Sequence, residues 1–285
     1  LNRERGFSLR RLIVNSRQKL GQAICSCLSP VASGINKAMF LGDKRDIPPN
    51  VFLAMSQSGT AHLLVISGFH VGVIAFFCML IFKIARLPFL ARTIAVILVL
   101  IGYCFITGAA IPAIRATIMA IFILIGLIVK RSPQQGRALL LAAFFILLMD
   151  PQAVFSASFQ LSFFSAASII WLCPLLKLFF SPLRIRSQIF KPMLDGFCVS
   201  LSAWVGTFWI IAYYFRIISP VALVANIFLV PLAGIITILG LLVALLNPLV
   251  PGFTAYLVSA NEFLVFSFLK LNNIFIKIPL AYFYL

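Results

Sequence analysis

The sequence predicts an all-α, polytopic integral membrane protein with about seven or eight transmembrane helices. Of its 285 residues, 62% are hydrophobic and 10% are charged, whereas an average soluble domain carries about 25% charged residues. The mean hydropathy is +1.12. A soluble fold of this size could not bury so much apolar surface, and disordered chains are poor in apolar residues. Soluble enzyme folds and intrinsic disorder are therefore excluded.

Eight apolar runs are candidate spans, because a helix needs about 20 apolar residues to cross a bilayer. The fourth run is short enough to be a re-entrant segment. The seventh carries Pro231 near its middle and is either one kinked helix or two half-helices. The apolar tail 272–285 is predicted to lie at the membrane interface. The candidate spans are 63–82, 91–107, 112–129, 137–149, 159–180, 196–215, 219–246 and 252–271.

The first forty residues are basic and only partly apolar. Apolar residues recur there at roughly helical spacing between Leu9 and Ile24, so we interpret 1–40 as an amphipathic segment lying on a surface. A solvated linker from an upstream domain is the alternative. The remainder, 41–285, is the predicted membrane domain. No secretory signal peptide is recognisable, and we expect the first span to act as the membrane signal.

Positive charge alternates between the predicted loops. The loops after the first, third and fifth spans are rich in lysine and arginine, whereas the intervening loops hold one arginine, none and one arginine. By the positive-inside rule the rich loops are cytoplasmic. We therefore predict that Lys130, Arg131 and Arg184 lie in the cytoplasm. Asp150 and the N-terminal segment 1–61 then lie outside, although that segment is itself basic.

The charge inventory limits the chemistry. The chain has 23 Lys and Arg but only 6 Asp and Glu, for a net charge of +17, and its 2 histidines and scattered acids cannot build a dinuclear hydrolase site. We expect no catalytic residues, metal or cofactor, and no enzymatic role. The six cysteines show no zinc-binding spacing, and no disulfide framework is expected. The basic excess suits anionic lipid headgroups and nucleic acid equally well.

The most unusual segment is the run HLLVISGFHVG, at the start of the first predicted span. Polar residues in spans usually face the protein interior or a cavity. On a helix Ser67 and His70 share a face, and the GxxxG spacing lets another helix approach closely. No third group orients the histidine and no nucleophile elbow is present, so no Ser–His catalytic pair is predicted. Helix packing with satisfied histidines is the alternative. The candidate pore-lining residues are His62, Ser67, Gly68, His70 and Gly72.

Two further segments carry polar residues into predicted spans. The run TGAAIPAIRA places Arg115 about one turn into the third span. It is either a snorkelling interfacial arginine or a phosphate contact in a pore mouth. Asp150-Pro151 is a helix stop and turn signal. Gln160 and Ser162 follow at the start of the fifth span, as pore-facing residues or as an interfacial cap.

Taken together, these segments resemble the membrane domain of the ComEC-type competence proteins. The likeness is carried by the run LGD from Leu41, by GTAHLLVISGFHVG from Gly59, by Gly108 with Arg115-Ala116, and by Asp150-Pro151 with the run FQLSF from Phe159. Their order and approximate separations agree with the family. The first long motif is highly specific, and the resemblance covers roughly residues 37–250.

The resemblance implies a bacterial inner-membrane channel that passes single-stranded DNA into the cytoplasm during natural transformation. The partners it implies are single-stranded DNA, membrane lipids and other competence proteins. The OB-like and metallo-β-lactamase-like domains often found in that family are not recognisable here, so we expect the translocation part alone. A strand bears one charge per nucleotide, so its conduit must be polar and positive inside a hydrophobic shell.

Two other classes stay open at this stage. A secondary transporter for a small anionic solute would need broken helices near the midplane, and the seventh span could supply one. A membrane-embedded transferase for lipid-linked substrates would need a positioned acid or base, and the scarcity of acids argues against it.

Overall fold

The computed structural model describes residues 9–130, 134–180, 190–247 and 250–285. Within these ranges the chain forms α-helices, two 3₁₀ turns at Ala61–Leu64 and Pro151–Phe155, and one short ribbon of β1 (Ile217–Ile218) with β2 (Phe283–Tyr284). The helices are α1 Leu9–Cys25, α2 Pro30–Leu41, α3 Pro49–Gln57, α4 Gly68–Ile84, α5 Phe89–Ile106, α6 Ile111–Ile128, α7 Gln135–Met149, α8 Ala157–Phe180, α9 Phe190–Phe215, α10 Ala222–Leu246 and α11 Pro251–Ile276.

Each of the eight predicted spans corresponds to one apolar helix, α4 to α11, which confirms an all-α polytopic membrane protein. In the described part of the chain, however, only six helices are both long and apolar enough to cross a membrane, fewer than the seven or eight predicted. The other two, α4 and α7, have 17 and 15 residues. At 1.5 Å per residue they reach about 22–26 Å, less than a typical hydrocarbon core.

The first predicted span starts later than its hydropathy suggests. Ala61–Leu64 is a 3₁₀ turn, and Ser67 is extended with φ −125° and ψ 172°, so α4 begins only at Gly68. Leu63 and Leu64 are buried in this 3₁₀ turn and Ile66 in the loop that follows, so the apolar run precedes the α-helix. Hydropathy measures burial in a low-polarity environment and not helicity, and for this reason the prediction of a span from residue 63 is wrong.

Helix α10 is the centre of the bundle. It packs against α1, α2, α4, α9 and α11, and it is the most buried of the long apolar helices. Pro231 lies within this continuous helix, on its exposed side. The two half-helices considered for this span are therefore not observed. This removes the broken helix on which the transporter alternative depended.

The N-terminal segment divides into two unlike helices. Helix α1 is amphipathic: Ile24 is buried, whereas Lys19 is exposed. Helix α2 is different, because nine of its twelve residues are buried. It packs against α1, α10 and α11. The interpretation of 1–40 as a single surface segment therefore does not extend to residues 30–40, whose sequence is mainly apolar and small.

A pair of buried amides joins α2 to α11 beneath α10. Asn36 Nδ2 donates to Asn261 Oδ1 at 2.7 Å, and Asn261 Nδ2 donates to the Ile236 carbonyl at 3.1 Å. The space is available because a Cβ at Gly240 would overlap Asn36 Oδ1. Nearby, the backbone N–H of Ser29 at the start of α2 donates to Glu262 Oε1 at 2.7 Å. We call Asn36, Asn261 and Gly240 the amide seam.

Loops that carry the sequence motifs meet at one end of the bundle, here called the motif face. The contacts that join them are Gly42 with Ile66 and Thr107, Gly59 with Ser219 and Ala222, Tyr214 with Phe155, and Gln57 with Tyr284. The tail predicted as interfacial is partly helical, because α11 runs to Ile276, and its end forms β2 on this face. Helices α4 and α6 end at the opposite face, and helices α5 and α7 begin there. Both short helices therefore run from one face to the other, as the predicted alternation requires.

Candidate nucleic-acid interface

The site is built first from the loop that precedes α4. Ser67 is the N-cap of this helix, and its backbone N–H lies 3.4 Å from His70 Nδ1, with its Oγ 3.2 Å from the same nitrogen. The imidazole of His70 is fully buried, and its ring meets Phe69 edge-on. Ser67 and His70 are thus in contact, as their spacing predicted, but through a helix cap rather than along a helix face.

Arg115, in the second turn of α6, connects all three motifs. Its Nε donates to Ser162 Oγ on α8 at 2.6 Å. Its guanidinium carbon lies 5.9 Å from the centre of the Phe163 ring. Its Nη2 lies 3.0 Å from the point that a Cβ at Gly68 would occupy. A side chain at that position would push the guanidinium away from the start of α4 by a few tenths of an ångström or more. We call Gly68, Arg115, Ser162 and Phe163 the arginine site.

The guanidinium of Arg115 has no counter-ion in the described part of the chain. The ion pairs found there join Lys37 with Asp46, Arg45 with Asp43, and Lys177 with Asp195. Its remaining polar contact is from Nη1 to Met119 Sδ at 3.5 Å, and a thioether is a weak acceptor. An arginine costs about 2.5–3.5 kcal/mol at the centre of a spanning helix and less near its end, where Arg115 lies. The site therefore offers a fixed positive charge and free N–H donors to an anion.

The loop between α5 and α6 places this arginine near the motif face. Gly108 has φ +86° and Ala109 has φ +52°, so the chain turns sharply in the left-handed region. Glycine adopts this conformation without steric penalty. Pro112 then occupies the first turn of α6, where a missing N–H is harmless. Arg115 follows one turn further along the helix.

The structure brings some of the predicted residues together and leaves others apart. Gly68, Arg115 and Ser162 meet, and Ser67 and His70 adjoin them. His62 Nδ1 instead faces the Gly59 carbonyl at 3.1 Å. Gly72 is exposed and a Cβ there would meet nothing within 4 Å, so the close approach allowed by GxxxG occurs only at Gly68. Gln160 Nε2 donates to the Val154 carbonyl at 3.2 Å and lies outside the arginine site.

Sequence reasoning missed Phe163, Met119 and Arg17. Phe163 stands beside Ser162 within the third motif, and Met119 is four residues after Arg115 on the same helix face. Both could have been found from those positions. Arg17 is one of several basic residues on an amphipathic helix, and no signal in the sequence separates it from the others.

The bundle of apolar helices, crossed by polar and cationic motif residues, defines a multi-pass membrane protein. The chain belongs to the competence protein family, since the family model described as Competence protein matches residues 39–285. The resemblance carried by the three motifs is thereby confirmed. No solved structure matches the chain significantly.

Two curated relatives extend this result. The chain is 31% identical over 232 residues to ComE operon protein 3 of Bacillus subtilis, covering 79% of this chain and 27% of that protein. It is 26% identical over 137 residues to Recombination protein 2 of Haemophilus influenzae, covering 45% of this chain and 17% of that protein. The chain therefore spans about a quarter or less of the length of these relatives.

Proposed function

We propose that this chain is a channel for single-stranded DNA, which it passes across the bacterial inner membrane into the cytoplasm during natural transformation. Membership of the competence family supports the process. The observation that carries the proposal is the guanidinium of Arg115, which lies in a site built from all three motifs and forms no ion pair with any described residue. A strand of phosphates supplies the anionic oxygens that this guanidinium lacks within the described residues.

The arrangement favours transient binding over tight capture. One arginine, one hydroxyl and one aromatic ring make up the arginine site, and conduction requires binding that is favourable yet weak enough for release. Phe163 is buried and stacks on Phe159 with ring centroids 4.2 Å apart, so its ring supports the guanidinium from the protein side and leaves the arginine as the contact for a phosphate. A moving strand would thus meet one charged contact near the motif face.

The direction of transport follows from the charge of the loops. The motif face includes the loops predicted to lie outside, and the opposite face includes Lys83, Arg86 and Lys130. DNA would therefore meet the arginine site before it reaches the cytoplasmic side. We propose further that the chain works beside other competence proteins on both faces and that its exposed apolar helices contact membrane lipids.

The proposed role is translocation without hydrolysis. In the described ranges no group of three or more His, Cys, Asp or Glu side chains is placed to hold a metal ion. We expect that the purified chain does not cut DNA with Mg²⁺, Mn²⁺ or Zn²⁺. Metal-dependent cleavage that co-purifies with the chain and disappears in His62→Ala would contradict this expectation.

The test is DNA uptake by cells that lack their own competence-family membrane protein and are complemented with a gene that includes this chain. Transformation frequency is measured alongside protein level in membranes. Gly68→Leu, which fills the space of the guanidinium, and Arg115→Ala should each reduce transformation at unchanged protein level. Normal transformation by both variants would overturn the proposal. Parallel loss of transformation and protein would support a packing role alone and equally overturn it.

A further inference from the structure

Arg17, on the amphipathic helix α1, reaches the loop that introduces Arg115. Its Nη2 donates to the Leu41 carbonyl at 3.1 Å. Its Nη1 lies 3.4 Å from the point that a Cβ at Gly108 would occupy. Gly108 begins the segment that leads into α6 and Arg115. A cation from outside the region matched by the family model therefore lies over a family motif.

The packing of α1 explains why this arginine points inward. The point that a Cβ at Gly21 would occupy lies 3.6 Å from Leu41 Cδ1, and Ile24 is fully buried, so one side of α1 packs on α2 and the bundle. Arg17 lies at the edge of that side and is half-buried, whereas Lys19 is exposed. Two residues of similar charge on one helix thus have different surroundings.

An acidic residue close to Arg17 is already paired with another arginine. Asp43 is close enough for the charge of Arg17 to contribute to lowering its pKa. Its oxygens, however, accept from Arg45 Nε at 2.9 Å and from Arg45 Nη2 at 2.6 Å. Among the described residues no carboxylate hydrogen-bonds to Arg17. Its guanidinium keeps donors that the single bond to Leu41 does not use.

We infer that Arg17 is a second phosphate-binding arginine, which contacts incoming single-stranded DNA at the motif face before the strand reaches Arg115. This inference rests on the proposed function and adds α1 to the DNA interface. Gly108 places no side chain against the Arg17 guanidinium, and the left-handed turn at this glycine leads into the segment that carries Arg115. The two arginines form a short cationic track from the surface into the bundle.

Two other roles would place Arg17 where it is. It could act only as a cap for the last carbonyl of α2, where a cation also complements the helix dipole. It could instead bind the phosphate of an anionic lipid. A cap needs a donor at residue 17 and no phosphate, and a lipid site needs an anionic bilayer. Substitutions and lipid composition therefore separate these roles from DNA binding.

The experiment measures binding of a fluorescent oligo-dT strand to the full chain in nanodiscs of zwitterionic phosphatidylcholine, at several salt concentrations. Each phosphate contact with single-stranded DNA contributes about 0.7 to the slope of log K against log salt. Arg17→Gln, which keeps an N–H donor for Leu41, should reduce the slope by about 0.7. Arg17→Lys should retain it, and Lys19→Gln is the matched control and should leave it unchanged.

Three results would overturn the inference. One is a slope of log K against log salt in Arg17→Gln equal to that of the original chain, while Arg115→Gln lowers the slope. The proposed function would then stand, but Arg17 would not contact the DNA. Another is an equal loss in Arg17→Gln and Lys19→Gln, which would indicate non-specific attraction. The third is an effect of Arg17 seen only when the discs contain anionic phosphatidylglycerol, which would indicate a lipid site. Absence of DNA binding by the original chain would overturn the proposed function and this inference together.

Discussion

The amide seam and the arginine site both place polar groups inside the bundle, but only the amide seam satisfies them. Asn36 and Asn261 exchange hydrogen bonds across α2 and α11 and are almost fully buried. Arg115 is half-buried, carries a full charge, and finds one hydroxyl and one thioether. Paired amides hold helices together. An arginine without a counter-ion adds no such stability, which points to a ligand.

The largest effect is expected in a test of which side of the membrane the motif face lies on, because a cysteine on one side is labelled fully and a cysteine on the other is not labelled. Single cysteines at positions 150 and 130, in a cysteine-free background, are treated with an impermeant maleimide in intact spheroplasts. Asp150→Cys should label and Lys130→Cys should not, since the loops at these positions lie at opposite faces and charge places position 130 inside. The reverse pattern would put the arginine site on the cytoplasmic side and break the proposed direction of transport.

The next effect is loss of stability at the amide seam. Asn261→Leu removes the bonds to Asn36 and to the Ile236 carbonyl. Side-chain hydrogen bonds in membrane proteins contribute about 0.6–1.7 kcal/mol each, so the variant should lose about 1–3 kcal/mol. The melting temperature in detergent measures this loss. Asn273→Leu, at an exposed position on the same helix, is the control.

Arg115→Met completes the comparison between the two regions. This substitution removes an unpaired charge and should leave the melting temperature unchanged or raise it. A loss in Arg115→Met as large as that in Asn261→Leu would mean that the arginine site is also a structural contact. The distinction between the two regions would then fail.

A smaller effect separates the two glycines of the GxxxG motif. A Cβ at Gly68 would press on Arg115 Nη2, whereas a Cβ at Gly72 would meet nothing within 4 Å. Gly68→Ala should therefore weaken oligo-dT binding several-fold by displacing the guanidinium. Gly72→Ala should bind like the original chain. Equal behaviour of the two variants would show that the position of Arg115 does not depend on Gly68.

The smallest effect concerns an exposed ion pair. The hydrogen bonds from Arg45 lower the pKa of Asp43 to about 2. A carboxylate with a lowered pKa adds stability that is present above its ordinary pKa and is lost as the pH falls toward 2. Between pH 7 and pH 5 Asp43 therefore stays ionised, and its titration should not change DNA binding. Asp43→Asn at pH 7 should tighten binding slightly, because it removes a negative charge beside Arg17. Weaker binding in Asp43→Asn would contradict this.

The sequence was sufficient to locate the helices but not their mutual contacts. Hydropathy identified α4 to α11, because solvation in lipid requires long apolar runs. It misplaced the start of α4, since the apolar run from Leu63 to Ile66 lies in a 3₁₀ turn and a loop rather than in the α-helix. It also missed the burial of α2, although the apolar character of PVASGINKAMFL was available as a signal.

The contacts of the candidate site were less predictable. Arg115 and Ser162 are 47 residues apart, and no local pattern indicates that they touch. The three motifs were recognised from polar residues within apolar spans and from their family resemblance, but their convergence on one guanidinium depends on how α4, α6 and α8 pack. Gly68 and Gly72 fit the GxxxG spacing equally well, so the sequence could not show that only Gly68 lies against Arg115. That difference also depends on helix packing.

The most direct test of the account is the salt dependence of oligo-dT binding by Arg115→Ala and Arg115→Lys, measured on the chain in zwitterionic nanodiscs. If Arg115 binds a phosphate, Arg115→Ala lowers the slope of log K against log salt by about 0.7. Arg115→Lys should keep that slope but bind less tightly, because lysine supplies the charge without the planar fork. An unchanged slope and affinity in Arg115→Ala, with the original chain binding DNA, would contradict the claim that the arginine site contacts the strand.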